Sequence, residues 1–255
     1  SFPTRRSSVL IVSLLHYSWR SYFNREGGAI HMPSLQTQQR IVSTAVDLFN
    51  EYGTAAVSTN RIAEECKVSK GNLYYHFRSK QEIVQHAFRQ IVTVMSEEWH
   101  RDHLHPTLRY MAEMYARHAL LAYQYRFFFR EMPHLLRSDA LLLQRYRENR
   151  RRRELTLERF FSALDRGASL RLNGDRRLIG SLVHSTWIIS DNWLNSIEFM
   201  GREVTEESVM ASYELILDIF RPYFRADQGR VLDESQAGIC QHLRARKAPE
   251  AASAI

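Results

Sequence analysis

Cysteine, glycine and proline are scarce: 2, 10 and 6 residues respectively in a chain of 255. Cys66 lies within a helical pattern and Cys240 near the end of the chain, so neither a disulfide framework nor a zinc-ligand spacing follows, and such usage suits a reducing cytoplasm. With so little glycine and proline, helices meet few interruptions. Sustained apolar–polar alternation, the mark of a half-buried strand, is missing too, whereas a period of 3.6 residues recurs throughout. The fold class expected is all-α.

Long apolar runs are also lacking. Val9 to Leu15 is a run of only 7 residues, far short of the roughly 20 a bilayer span requires. Arg5 and Arg6 precede it in the manner of a signal peptide, yet no small-residue cleavage site follows. No glycine-rich phosphate loop, dinucleotide fingerprint, G-x-S-x-G or H-E-x-x-H occurs, nor any ordered acid, base and nucleophile. No enzyme, cofactor or metal is therefore expected. His100, His103 and His105 with Asp102 have no known ligand geometry and read as a solvated turn.

What is present is ample apolar content, 44% of the chain, and a formal charge of +7. The charge is local. Residues 58–80 hold five basic and two acidic groups, whereas residues 32–102 hold eight of each. A focused positive patch suits phosphate contact that weakens with salt.

That patch coincides with VSTNRIAEECKVSKGNLYYHFRSK, Val57 to Lys80. Ahead of it Ile41, Val42, Ala45, Leu48, Phe49 and Tyr52 form one apolar stripe on a bracing helix that ends near Gly53. Ser58 or Thr59 can cap a second helix with Ile62, Ala63 and Cys66 inward. Val68 closes a turn, and Ser69 caps a third helix. On that helix Leu73 and Phe77 face a core, so Gly71, Asn72 and Tyr75 point the opposite way. Gly71 lets a backbone approach DNA closely, and Asn72 can both donate to and accept from a base edge. Tyr74 and His76 flank that face, and Lys70 can take a guanine edge or a phosphate. Ser79 to Glu82 reads as a capping box that leaves Lys80 aimed outward at a phosphate. The bland alternative is a packed three-helix unit with an aromatic surface.

The same residues resemble the helix-turn-helix of the TetR (AcrR-like) family of bacterial regulators, T-x-x-x-I-A-x-x-x-x-V-S-x-G-x-x-Y-x-H-F-x-x-K. Gly71, Tyr74, His76, Phe77 and Lys80 fall at the family's spacing. One departure is Lys67, where the family favours glycine; a left-handed backbone there would be modestly strained. The resemblance implies a three-helix DNA-binding domain followed by a larger helical domain for ligand binding and dimerisation. Thr59, Asn60, Ser69, Lys70, Gly71, Asn72, Tyr74, Tyr75, His76 and Lys80 become the candidate DNA-binding residues.

Beyond residue 80 the periodicity predicts a connecting helix to about Asp102 and another from about 106 to 125. An aromatic-rich break at Phe127 to Pro133 and a long helix from about Ser138 to Leu170 come next. The last two helices run from about Arg176 to Met200, closed by Gly201, and from Thr205 to about Phe220. In the last, Val209, Met210, Tyr213, Ile216, Leu217 and Phe220 make one stripe, and Leu215 and Ile219 extend it beyond what one core needs. A partner helix would cover that surplus, and the family's fold implies that the partner is a second copy, a homodimer through about 176–220 that sets two recognition helices one DNA turn apart on a palindrome. The run Arg150 to Arg153 reads as a solvated face with local ion pairs.

The expected organisation is an extension over 1–31, foreign to the folded unit because SFPTRRSS reads like translated adapter sequence, then 32–80 for DNA and 81–224 for regulation and dimerisation. A mobile tail over 225–255 follows. Candidate ligand residues are Tyr115, His118, Tyr123, Phe127, Phe128, His184, Trp187 and Asn192, each with a second reading as plain core or seam. Their aromaticity favours a small apolar or aromatic ligand. The functional expectation is a cytoplasmic, nucleoid-associated repressor of an operator in double-stranded DNA, released by that ligand. The alternative is a chromosome-organising protein of the same fold that answers to a protein partner.

Overall fold

A computed structural model describes residues 33–100 and 106–225. Within them the chain forms α1 (Pro33–Ala56), α2 (Thr59–Glu65), α3 (Lys70–His76), α4 (Lys80–His100), α5 (Leu108–Gln124), α6 (Arg126–Ser138), α7 (Ala140–Arg166), α8 (Arg176–Phe199) and α9 (Glu206–Asp218), then a short 3-10 turn, Arg221–Tyr223. The all-α expectation holds across these residues. The extension 1–31, the tail beyond 225, Cys240, and the side chains of His100, Asp102, His103 and His105 lie outside what is described. Among the described residues no helix is long and apolar enough to cross a membrane, and no cluster of metal-ligating side chains occurs.

Helix starts follow local chemistry. Ser58, Ser69, Thr107, Asp139, Asp175 and Thr205 each accept a hydrogen bond from a backbone N–H three residues on, supplying a partner that the first turn lacks. Ends are equally local. After α2 the N–H of Lys67 meets the Glu64 carbonyl at 3.1 Å and that of Val68 the Ala63 carbonyl at 3.0 Å. This double closure needs a left-handed residue, and Lys67 supplies it at φ 55°. Gly201 does the same after α8 at φ 66°.

The helices enclose two cores. The first joins α1, α2 and α3 to Ile83–Ile91 of α4, Leu121 and Tyr125 at the end of α5, Phe127, Phe128, Met132 and Leu135 of α6, and Leu142 of α7. The second lies between α5, α7, α8 and α9, with Phe160, Phe161, Trp193, Tyr213 and Phe220 among its largest members. They touch where Phe128 of the first meets Phe129 of the second, edge to face at 5.9 Å. The packing of the head therefore continues well past residue 80.

Several expectations are corrected. The segment Phe127 to Pro133 is helical, and the break before it is confined to Tyr125. A proline inside a helix costs about 3 kcal/mol. Burying Phe127, Phe128, Phe129, Met132 and Leu135 gains about 1.5–3 kcal/mol for each side chain, so burial wins. The long helix stops at Arg166, short of Leu170, because Ala168 turns left-handed at φ 59° and the Asp165 carboxylate gathers the N–H groups of Leu172, Asn173 and Gly174 at 2.7, 3.2 and 2.8 Å. Tyr52 lies outside the bracing stripe, exposed beneath the Arg61 guanidinium at 3.8 Å.

The arginine run is a solvated face only in part: Arg151 and Arg152 are exposed, but its two flanking members are engaged with other helices. Arg153 is 7% exposed and donates to the Met95 carbonyl at 2.7 Å, while Arg150 pairs with Glu154 at 3.0 Å and with Asp191 of α8 at 3.5 Å.

Candidate nucleic-acid interface

α3 is a 7-residue helix held to the head by Leu73, which is buried, and by Phe77 at its end. The opposite face carries Lys70, Gly71, Asn72, Tyr74 and Tyr75, all exposed, with Tyr75 at 80% and Tyr74 at 49%. An exposed tyrosine pair is a large apolar area left in water, which a groove wall would cover. Around Gly71 no heavy atom lies within 4 Å of where a β-carbon would stand, and its backbone is not in the left-handed region. Packing and conformation within the chain therefore give no reason for glycine at this position.

The predicted residues come together on one side. The Tyr74 hydroxyl and the Thr59 hydroxyl lie 3.4 Å apart, tying the rim of α3 to the start of α2. Asn60 is exposed beside Thr59. His76 is half-buried, its ring set edge-on to Tyr75 at 5.2 Å. Ser69 is occupied locally, accepting from the Asn72 N–H at 3.1 Å. Lys67, Lys70 and Arg78 are exposed on the same unit and supply its positive charge.

Lys80 is placed otherwise. Its ammonium turns inward and donates to the carbonyl of Val57 at 2.9 Å and to that of Thr54. The reason is the kink at Gly53, φ 78° and ψ 156°, which frees carbonyls at the end of α1. Nearby, the Ser79 hydroxyl accepts from the Glu82 N–H at 3.2 Å as a cap should, but the Glu82 carboxylate reaches the Arg78 N–H at 2.8 Å, one residue earlier than the expected box.

The candidate ligand residues do not share one chamber. Tyr115 and His118 are buried in the second core near Arg153 and Thr186. Burial holds the Tyr115 hydroxyl above its usual range and keeps the His118 imidazole neutral, helped in the second case by Arg153 and Arg117. Beside Tyr115, between α5 and α9, a crevice of about 10 Å³ is lined by Ala112, Ala116, Met210, Tyr213, Leu217 and one charged side chain, Glu214. Phe127 and Phe128 belong to the first core. Tyr123 is half-buried under the Arg126 guanidinium at 4.8 Å, and Trp187 under that of Arg150 at 5.3 Å. His184 and Asn192 point outward from α8, Asn192 donating back to the Ile188 carbonyl at 2.8 Å.

Sequence reasoning missed a polar joint between head and body, formed by Asn50, Thr54, Arg130, Glu131 and Glu198. Its partners lie 68 to 80 residues apart, and no local pattern signals such pairing.

Comparison with known proteins agrees with this geometry. A family model described as bacterial regulatory proteins of the tetR family matches residues 41–87, and one described as a bacterial transcriptional repressor matches residues 85–231. A solved TetR-family transcriptional regulator from Marinobacter aquaeolei is 26% identical with a TM-score of 0.69, over 79% of this chain and 98% of that one. The regulator QacR of Staphylococcus aureus is 32% identical over 65 residues, 26% of this chain and 32% of the relative. The A-factor receptor protein of Streptomyces griseus is 40% identical over 52 residues, 20% of this chain and 19% of the relative. Both curated matches thus span less than a third of the relative's length.

Proposed function

The chain belongs to the TetR family of bacterial transcriptional regulators, and from that premise we propose that it is a homodimeric repressor. It reads a palindromic operator through α3 and leaves it when a small molecule enters the second core. The observation that carries the reading is the outward face of α3, where Gly71, Asn72 and Tyr75 stand exposed beside Lys70. Asn72 and Lys70 read base edges, Gly71 allows the backbone in, and Thr59, Tyr74 and His76 contact the groove walls.

Dimerisation is supported by apolar surface on the last two helices. Ile188, Phe199, Met200 and Leu215, on or just after these helices, are exposed at 52, 85, 70 and 55%, apolar area that a second copy would take out of water. A two-fold pair through α8 and α9 covers them and sets two copies of α3 about 34–36 Å apart, one turn of the duplex. The ligand enters beside Tyr115 and His118 and opens the small crevice there. Aromatic walls with Arg153 nearby suit an apolar or aromatic body with one polar group. A repressor of this kind would work in the cytoplasm, at the nucleoid.

The test is selection of bound duplexes from a random pool by the full-length protein, with its mass in solution measured by light scattering. A recovered palindrome bound by two chains is expected. A monomer at micromolar concentration, or no enriched duplex at low salt, overturns the proposal.

A further inference from the structure

The head is fastened to the body by side chains that converge on the last regular turn of α1. Asn50, buried, donates from Nδ2 to the Gln124 carbonyl at 2.7 Å and accepts at Oδ1 from the Phe127 N–H at 2.9 Å. Both backbone groups are helix ends opened by the break at Tyr125, the last carbonyl of α5 and a first-turn N–H of α6, which have no partner within their own helices. A side chain of the head thus closes a joint in the body.

One turn further, the Glu131 carboxylate accepts from the Thr54 N–H at 2.9 Å and from the Thr54 hydroxyl. Thr54 is gripped from both sides, since its carbonyl is held by Lys80 at the start of α4. Arg130, adjacent on α6, donates to the Asn50 carbonyl at 3.2 Å and, from its other nitrogens, to the Glu198 carboxylate at 2.7 and 2.6 Å. Glu198 ends α8 next to the exposed Phe199 and Met200. One guanidinium therefore links the brace of the head to the helix proposed for the dimer seam.

We propose that Arg130 and Glu131 are positioning residues that fix the spacing of the two reading heads by locking α1 to the end of α8. The inference rests on the dimeric reading given above. α4 joins the head to the body covalently and the shared apolar core packs α1 against α6; apolar packing is non-directional and tolerates small rotations, whereas the directional hydrogen bonds of Arg130 and Glu131 hold one orientation. A dimer reading a palindrome binds its second half-site intramolecularly, at an effective concentration set by how stiffly the heads are held. Loosening the joint lowers full-site affinity and leaves each head's grip on a half-site intact.

The experiment compares full-length wild type, Glu131→Ala and Arg130→Met on the palindrome selected by the wild type and on a duplex carrying one half of it. Full-site affinity is expected to fall by about tenfold or more with half-site affinity unchanged. Glu131→Gln, whose amide oxygen still meets the Thr54 N–H, restores most of the loss. Equal loss on both duplexes means a damaged fold, and no loss on either means an idle joint; each overturns the proposal. Should Glu131→Ala fail to fold, Arg130→Met carries the same expectation alone. A wild type that selects no duplex removes the DNA-binding reading itself, an outcome separate from these.

Discussion

The Lys80 ammonium donates to the Val57 carbonyl at 2.9 Å, and to that of Thr54 as well. A lysine that the motif aims at a phosphate is thereby engaged in closing the end of α1. Lys80→Met is expected to lower the unfolding free energy by about 1–3 kcal/mol, because two carbonyls lose a charged donor. The slope of log affinity against log salt stays as it is, since no phosphate contact is removed. Urea unfolding and a salt titration of DNA binding read the two effects; a shallower slope with unchanged stability would return Lys80 to the DNA.

Gly53 occupies φ 78°, ψ 156°, a region open essentially to glycine alone, and a β-carbon there would stand 3.1 Å from a Glu131 carboxylate oxygen. Gly53→Ala combines backbone strain with pressure on the joint. A loss of about 2 kcal/mol or more in urea unfolding is expected.

At Gly71 the fold has no objection to a methyl group. Gly71→Ala should leave stability unchanged or raise it by about 0.5–1 kcal/mol, the helical preference of alanine, while DNA binding drops on every sequence. Asn72→Ala should instead relax preference at one or two operator positions, at a cost of about 1–3 kcal/mol. Binding across a panel of single-base operator variants separates the two patterns, and an Asn72→Ala protein with wild-type selectivity refutes the base-reading role.

Lys67 holds φ 55° at a position where a side chain costs roughly 1–2 kcal/mol. Lys67→Gly is expected to shift the thermal midpoint upward, by an amount corresponding to less than about 1 kcal/mol once the greater freedom of glycine in the unfolded chain is counted. A lower midpoint would mean that the turn is not strained.

His86 lies edge-on to Phe77 at 5.5 Å, and its Nδ1 accepts from Arg89 at 2.9 Å. Burial, then the Arg89 charge, pushes its pKa down to about 4, and burial holds His118 well below its usual value too. Both are neutral when folded, while in the unfolded chain they titrate near 6.5. The unfolded state therefore binds protons first on acidification. Stability is fully present above about pH 6.5 and is lost as pH falls toward 4. Urea unfolding at pH 7.5 and 5 checks the sign, and His86→Leu should flatten the dependence.

Much of the head was legible because its determinants sit within four residues of one another. The caps at Ser58 and Ser69, the inward set Ile62, Ala63 and Cys66, and the left-handed Lys67 all stand where the pattern puts them. The candidate face on α3 was readable for the same reason, since Leu73 and Phe77 leave it outside. Lys80 misled because its outward aim was inferred from the cap at Ser79 alone, whereas the carbonyls that attract it, of Thr54 and Val57, lie at and just past the end of α1, more than twenty residues earlier. Arg153 misled because three neighbouring arginines and two glutamates look solvated in one dimension, and burial of one position depends on which helix packs across it.

By itself the amino-acid order determined most of the helices, the caps at Ser58 and Ser69 and the outward residues of α3, since each depends on periodicity and on hydrogen bonds that span one turn. Tertiary structure alone decided that Phe127 and Phe128 serve the head while Phe129 serves the body, that Arg153 lies inside, and that Asn50 and Glu131 clamp the two together. Apolar spacing states that a face is buried but not against what. Pairings across 74 to 77 residues exist only once packing has brought two helix ends within hydrogen-bond reach.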